Sequence, residues 1–491
     1  MKTFLSQFKA AAQTVVVCLA GATLFAGCSF APKYAEPSVQ TPAVFKEMTP
    51  AQAGQTDGWK TAGPGDAVLR GQWWEMFHEP ELNAFESQVD ASNQTVAAAL
   101  ANFLAARAVV KQSRSQYFPT VSVNPSVTES RQASQLNQSS SSSAASTFTE
   151  YSLPFDASWE PDFWGRIRRT VEAARSNAQA DAADVATIDL ALHAEMAADY
   201  FQLRGLDSQS KLLQATVADL EHQLDLTQRR LNGGIATSVD VAQADTQLET
   251  VRAQLADIGV ARSQLEHAIG TLANQKLDSF GIPASPLDLT LPTVPLGVPS
   301  QLLERRPDIA AAERRAQAAN AQIGVAQSAF YPSISLGAEG GFESLHVGTW
   351  FQGPSSLWSL GAQATQLLFD AGQRHALTDE ARHTYEAQSA GYKSTVLSAF
   401  RDVEDQLSAL RILESEAVVE QRAVASAQRS YDLSNQRYKG GVTGYLEVLT
   451  AESALLQNQR TNLDLQTRQF IASVGLVRAL GGGWDASQLP K

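Results

Sequence analysis

Cysteine is nearly absent, with two in 491 residues, Cys18 and Cys28. Cys18 falls within an apolar N-terminal leader, so a mature chain keeps one cysteine at its first position and no internal disulfide framework is possible. Beyond that leader no apolar run approaches the roughly 20 residues of a spanning helix. Any membrane crossing must then be made by strands, the other structure that satisfies its own backbone in lipid. Catalytic signatures are missing too: there is no HExxH, no GxxxxGK and no CxxC. The seven histidines are scattered. His222 and His267 fall on helix surfaces facing solvent, and His375 and His383 are too far apart for an i, i+4 metal pair. Nothing points to an enzyme or to a cofactor. Basic charge is in deficit: loss of Lys2 and Lys9 with the leader takes the net charge from -13 to -15, which argues against nucleic acid as a partner.

Proline is absent from residues 162–282 and 355–489. Each stretch is far longer than an ordinary globular helix of about 11 or 12 residues, which points to extended coiled coil. Each is broken once by a glycine pair, Gly233-Gly234 and Gly440-Gly441, the residues that reach φ > 0 at least cost and so turn a helical hairpin. Around these pairs Arg230-Leu231-Asn232 and Val239-Asp240-Val241 match Arg437-Tyr438-Lys439 and Leu446-Glu447-Val448 at an offset of 207, the separation of Gly233 from Gly440. Upstream, Ser115 to Val123 resembles Ser328 to Leu336 at an offset of 213. The chain is a tandem repeat. Leu213, Val217, Leu220, Leu224, Thr227 and Leu231 form a coiled-coil seam on the first hairpin. In the last helix Leu449, Leu456, Leu463, Phe470 and Val477 fall at sevens between polar residues such as Glu452, the pattern of a thin wall with a wet face. A helix from Arg166 to Leu231 would extend roughly 100 Å at 1.5 Å per residue.

Four segments alternate apolar and polar residues with the period of a strand, about 118–128, 151–160, 332–342 and 356–366. Their length suits tilted bilayer-crossing strands, and Trp159, Trp164, Trp350 and Trp358 flank them as interfacial aromatics do. The joining loops, with five serines from Ser139 to Ser143 in the first, could not pack a core. The same alternation also fits a half-buried soluble sheet. Four strands cannot close a barrel, and open edges are not tolerated in lipid. Two copies give eight strands and a filled interior; three give twelve and a lumen.

The N-terminus has the layout of a secretory signal, and Leu24-Phe25-Ala26-Gly27-Cys28 resembles a lipoprotein processing box with Phe25 at the usual leucine position. Ser29 after the anchor, rather than Asp, directs the expectation to the outer membrane. The expected division is 1–27 signal peptide, 28–78 lipidated extended segment, 79–275 first repeat with its hairpin turning at 232–237, 276–299 proline-rich linker, 300–480 second repeat turning at 439–444, and 481–491 tail.

Cys28 with Pro32-Lys33-Tyr34, Gln72 to Phe77, Asp162-Phe163-Trp164-Gly165-Arg166, Leu302 to Ile309, Phe330 to Leu336, Leu368 to Gly372 and Ala479 to Trp484 together resemble the TolC-like outer membrane factors of the OprM/NodT lipoprotein type. The resemblance implies an α+β membrane protein: a trimeric twelve-stranded β-barrel, four strands per chain, on a long α-helical periplasmic tunnel. It implies a homotrimer held in outer-membrane lipid, a periplasmic adaptor, and an inner-membrane pump of the resistance-nodulation-division type, exporting small molecules. It also implies a periplasmic gate in which Tyr438 hydrogen-bonds Asp240 while Leu446, Glu447 and Thr450 line the constriction. Thr450 stands where relatives carry Asp, and Ser453 where an OprM-like channel carries Arg, so Glu447 is left to supply an acidic ring. Gly233, Gly234, Gly440, Gly441 and Thr443 are expected to turn the hairpins and meet the adaptor. An exit duct for an ATP-driven protein exporter and a non-conducting coiled-coil scaffold are the alternatives.

Overall fold

The structure, a computed structural model, describes residues 32–42, 45–47, 71–132, 146–294 and 302–490. The leader, Cys28, the serine run 139–143 and Pro295 and Pro299 of the proline cluster lie outside the described residues. In chain order the elements are α1 (Pro80–Ser92), α2 (Gln94–Ser115), β1 (Thr120–Val123), β2 (Ser126–Gln132), β3 (Ser146–Trp159), α3 (Arg166–Asn232) and α4 (Ser238–Leu272). The second half follows with α5 (Pro307–Ser328), β4 (Ser333–Ser344), β5 (Ser356–Thr365), α6 (Gln373–Lys439) and α7 (Tyr445–Ala479). The hairpin helices repeat to the residue, 67 then 35 in each half. The chain divides into two compact units, one formed by residues up to 37, 104–180 and 313–391, the other by 38–103, 181–312 and 392–491.

The first unit is built on one antiparallel sheet of order β1-β3-β4-β5, with β2 also on β3. The expected first strand is interrupted at Asn124-Pro125, because proline has no N–H for the ladder. Its register is unbroken: Val123 opposes Phe155 and Ser126 opposes Ser152. Cross-strand pairing puts Val121, Val123, Val127, Tyr151, Leu153, Phe155, Leu336, Phe342, Trp358 and Leu360 on one face. Ser122, Ser152, Asp156, Glu339, Glu343, Ser359 and Gln363 share the other. The apolar face is uncovered among the described residues, with Val121, Trp358 and Leu360 exposed by 69%, 78% and 75%. Gly341 sits so close to β3 that a Cβ would penetrate the Leu153 carbonyl oxygen.

Equivalent aspartates in this unit start α3 and α6. Asp162 accepts from the Ile167 and Arg168 amides at 2.9 and 2.8 Å, and Asp370 from the Gly372 and Arg374 amides at 3.1 and 3.2 Å, filling orphan donors at each N-terminus. Trp164 donates to the Pro332 carbonyl at 2.7 Å and stacks on Tyr331.

The second unit packs one main core, in which Trp73, Phe77, Tyr200, Phe201, Tyr392 and Phe470 are buried. A separate coiled-coil seam joins Leu213, Leu220, Leu248, Val251 and Ile258. The start of the proline-rich segment is clamped by charge: Arg204 and Arg262 share Asp207 and donate to the Pro283 and Ile282 carbonyls at 2.7 and 2.6 Å. Arg306 grips Asp308 with both arms of its fork, at 3.0 and 2.7 Å, and reaches the Ala479 carbonyl at 3.2 Å. This ties the start of α5 to the end of α7.

Candidate functional site: the hairpin turns

Both long helices end in the same backbone device. The amides of Gly234 and Ile235 donate to the carbonyls of Leu231 and Arg230, and those of Gly441 and Val442 to Tyr438 and Arg437, which are Schellman pairs. Only the second glycine of each pair has positive φ, +77° at Gly234 and +73° at Gly441. Gly233 and Gly440 lie in ordinary backbone, so their φ demands no glycine. The turns present exposed apolar side chains: Ile235, Val239, Val442 and Leu446. Thr443 beside them is half-buried, and its hydroxyl has no partner among the described residues.

The two halves differ where their return helices begin. Thr237 and Asp240 make a capping box: the Asp240 carboxylate accepts from the Thr237 amide and hydroxyl at 2.8 Å each, and the Thr237 hydroxyl from the Asp240 amide at 3.2 Å. The second half has Gly444 in place of Thr237, with no side-chain cap. Glu447, the counterpart of Asp240, is left free for a loose exposed pair with Arg437 at 4.0 Å. Thr450 is exposed and spends its hydroxyl on the Leu446 carbonyl at 2.8 Å.

The expected bond from Tyr438 to Asp240 is not formed. Asp240 is committed to its own helix start, and the Tyr438 hydroxyl is buried with no partner among the described residues. What joins the hairpins is Arg230, whose guanidinium lies 4.4 Å from the Tyr438 ring centroid and contacts the Tyr438 carbonyl at 3.5 Å. Tyr438 in turn packs on Tyr445, Val448 and Ala244.

A second link, absent from the sequence expectation, lies deeper between the hairpins. The Gln223 amide nitrogen of α3 donates to Tyr431 of α6 at 3.1 Å and to Glu452 of α7 at 3.0 Å, while its oxygen accepts from Tyr445 at 3.2 Å. Glu452 is buried, not part of a wet face, and its other oxygen has no partner among the described residues. Burial pushes its carboxyl up to about 7, helped by Asp219 and opposed by the Gln223 hydrogen bond. The available sequence signal was a glutamate inside a heptad stripe. A further cross-link joins Arg460 of α7 to Gln254 of α4 at 3.0 Å. The links made by Arg230, Gln223 and Arg460 are polar or cation–π, the kind that can be exchanged for water when coiled coils separate.

A sheet with an uncovered apolar face, together with paired coiled-coil hairpins linked by polar contacts near their turns, defines a subunit of a membrane channel. Residues 86–275 and 298–482 each match the outer membrane efflux protein family, once per repeat. The chain belongs to that family. It is 32% identical over 473 residues to the probable efflux pump outer membrane protein TtgC of Pseudomonas putida, covering 94% of both chains. With the pyoverdine export outer membrane protein OpmQ of Pseudomonas aeruginosa it shares 30% over 432 residues, covering 87% of this chain and 90% of the relative. Among solved structures, the outer-membrane channel OprN superposes with a TM-score of 0.83 at 28% identity, over 93% of this chain and all of that one. The open state of the Neisseria gonorrhoeae MtrE outer membrane channel gives 0.80 at 28%, over 94% and 99%. The protein is an outer membrane efflux channel component.

Proposed function

We propose that three copies of this chain share one twelve-stranded barrel and continue as a helical periplasmic tunnel, forming the exit duct of a tripartite pump with a periplasmic adaptor and an inner-membrane transporter of the resistance-nodulation-division type. The observation that carries this reading is the sheet: four antiparallel strand lengths, apolar on one exposed face and polar on the other, with both outer edges unpaired among the described residues. Edges of that kind must pair with something in lipid, and three copies are the smallest number that leaves an open lumen. Asp156, Glu339 and Glu343 then face the lumen and the valines, Phe155 and Trp358 face lipid. Cys28 carries the lipid anchor in this reading.

At the hairpin turns, Arg230 on Tyr438 and the Gln223–Tyr431–Tyr445–Glu452 cluster hold the hairpins together, while Leu446, Glu447 and Thr450 border the opening. The exposed Ile235, Val239, Val442 and Leu446, with the glycine turns, meet the adaptor. The curated relatives carry names for toluene, solvent and pyoverdine export. Such varied cargo suits a duct whose selection is made by the pump, and it supports small-molecule export over a protein-secretion duct.

The test is in-cell photo-crosslinking from Val442, which is 71% exposed where Thr443 is half-buried. Capture of an adaptor that co-purifies with a proton-driven transporter is expected; capture of the adaptor of an ATP-driven protein exporter overturns the assignment.

A further inference from the structure

Of the described histidines, His193 stands apart: it is buried, while His222, His267, His375 and His383 are exposed. Two helices bring it its neighbours. Asp189 and His193 are i, i+4 on α3, and Glu86 and Asp90 are i, i+4 on α1, so each pair lies on one helix face. The faces meet. Glu86 Oε2 lies 2.6 Å from His193 Nδ1, and His193 Nε2 lies 3.0 Å from Asp90 Oδ1 and 3.5 Å from Asp189 Oδ1. Trp74 stacks on the imidazole at 4.4 Å between centroids and fixes its plane.

We propose that Asp90, Asp189 and His193 bind one divalent transition-metal ion, Zn²⁺ by ligand type, with Glu86 as the outer carboxylate that orients the imidazole. Four features carry this. Asp90, Asp189 and His193 each offer a ligand atom within 4.8 Å of the others. An ion held about 2.1 Å from a nitrogen and an oxygen at the tetrahedral angle puts those two atoms about 3.4 Å apart, and the distances of 3.0 and 3.5 Å bracket that value. Glu86 is fully buried with its Oε2 2.6 Å from Nδ1, so with an ion bound it would accept from Nδ1–H while Nε2, which hydrogen-bonds Asp90 in the ion-free structure, gives up its proton to face the metal; this is the carboxylate–histidine–metal arrangement of known sites. Its second oxygen is buried with no partner among the described residues.

Charge argues the same way. Three carboxylates meet one imidazole, and among the described residues no lysine or arginine lines the adjoining cavity of about 240 Å³. A dication balances two of those charges, where an imidazolium balances one. Asp90 and Asp189 keep side-chain exposures of 50% and 40%, so water can reach a fourth position and the ion has an entry path. The same cavity is bordered by Gly481, Gly482, Gly483 and Trp484 after α7 and by Gly71 to Trp74 before α1. A bound ion staples α1 to α3 beside the segments that precede the first repeat and follow the second.

The experiment uses full-length protein in detergent, stripped with chelator and titrated with Co²⁺ as a spectroscopic substitute. The expected result is a set of four-coordinate d–d bands that saturates at one ion per chain and is displaced by Zn²⁺. Asp189→Asn and His193→Gln, each checked for native helical circular dichroism, should abolish the bands, and Glu86→Gln should weaken binding 10- to 100-fold. Absence of bands in the folded wild type, or equal titration by wild type and Asp189→Asn, overturns the proposal and leaves a closed imidazolium–carboxylate cluster.

Discussion

Replacing Glu452 by glutamine tests whether the buried link between the hairpins works against its own charge. The carboxyl is pushed from 4.5 to about 7. At about 1.4 kcal/mol per unit, ionising Glu452 in the folded protein costs about 3 kcal/mol more than ionising it in the unfolded chain. Because the folded value is the higher one, the stabilising effect of the neutral acid is complete below pH 4.5 and is lost as pH rises through 7. The groups facing it, Gln223, Asp219, Tyr431 and Tyr445, include no cation that could hold the charge. Glutamine keeps the shape and an oxygen for Gln223 while removing the charge. Wild type and Glu452→Gln should therefore melt together near pH 4.5 and separate above it, with the variant more stable by about 3 kcal/mol at pH 8. For 491 residues at about 2 cal/mol/K of unfolding entropy each, that corresponds to about 3 °C. Thermal circular dichroism in detergent from pH 4.5 to 8 reads the difference. A gap that does not vary with pH refutes the argument from burial.

Other expectations separate the contacts at the turns. Tyr438→Phe, which removes a hydroxyl with no partner among the described residues, should leave single-channel conductance unchanged, whereas Arg230→Ala, which removes the cation over the ring, should raise it. Gly234→Ala and Gly441→Ala should each cost about 1 kcal/mol through the left-handed backbone, measurable as a lower melting temperature, while Gly233→Ala and Gly440→Ala should be close to neutral. Gly341→Ala drives a methyl into the Leu153 carbonyl and should lower the temperature at which the heat-modifiable oligomer dissociates on gels. Cys28→Ser should abolish metabolic labelling by palmitate and leave the channel in the envelope fraction, since the sheet and not the anchor carries the insertion.

Much of the architecture was legible because its signals are local. Absence of proline over more than a hundred residues, a single glycine pair and a heptad stripe dictate a long helical hairpin whatever it packs on. Period-two alternation placed the four strand lengths, and their shared register emerged intact even where Pro125 removes a ladder bond. The glycine pairs were visible as turns, although only coordinates distinguish the one with positive φ from its neighbour.

The site was less legible, and the misses share a cause. Asp240 was read as a cross-hairpin acceptor, yet Thr237, three residues away, is a competing donor at no loop-closure cost, and the local cap wins. Glu452 was placed on a wet face because its heptad is polar, but its partner Gln223 is 229 residues distant and only packing sets them together. His193 drew no notice among seven scattered histidines, since Glu86, which fixes its orientation, is 107 residues away on another helix. The sequence by itself determined the repeat, the helices, the strands, the turns and the family. Tertiary structure alone decided which polar side chains meet, because hydrogen bonds and ligand shells depend on a few ångströms between residues that no period or spacing along the chain connects.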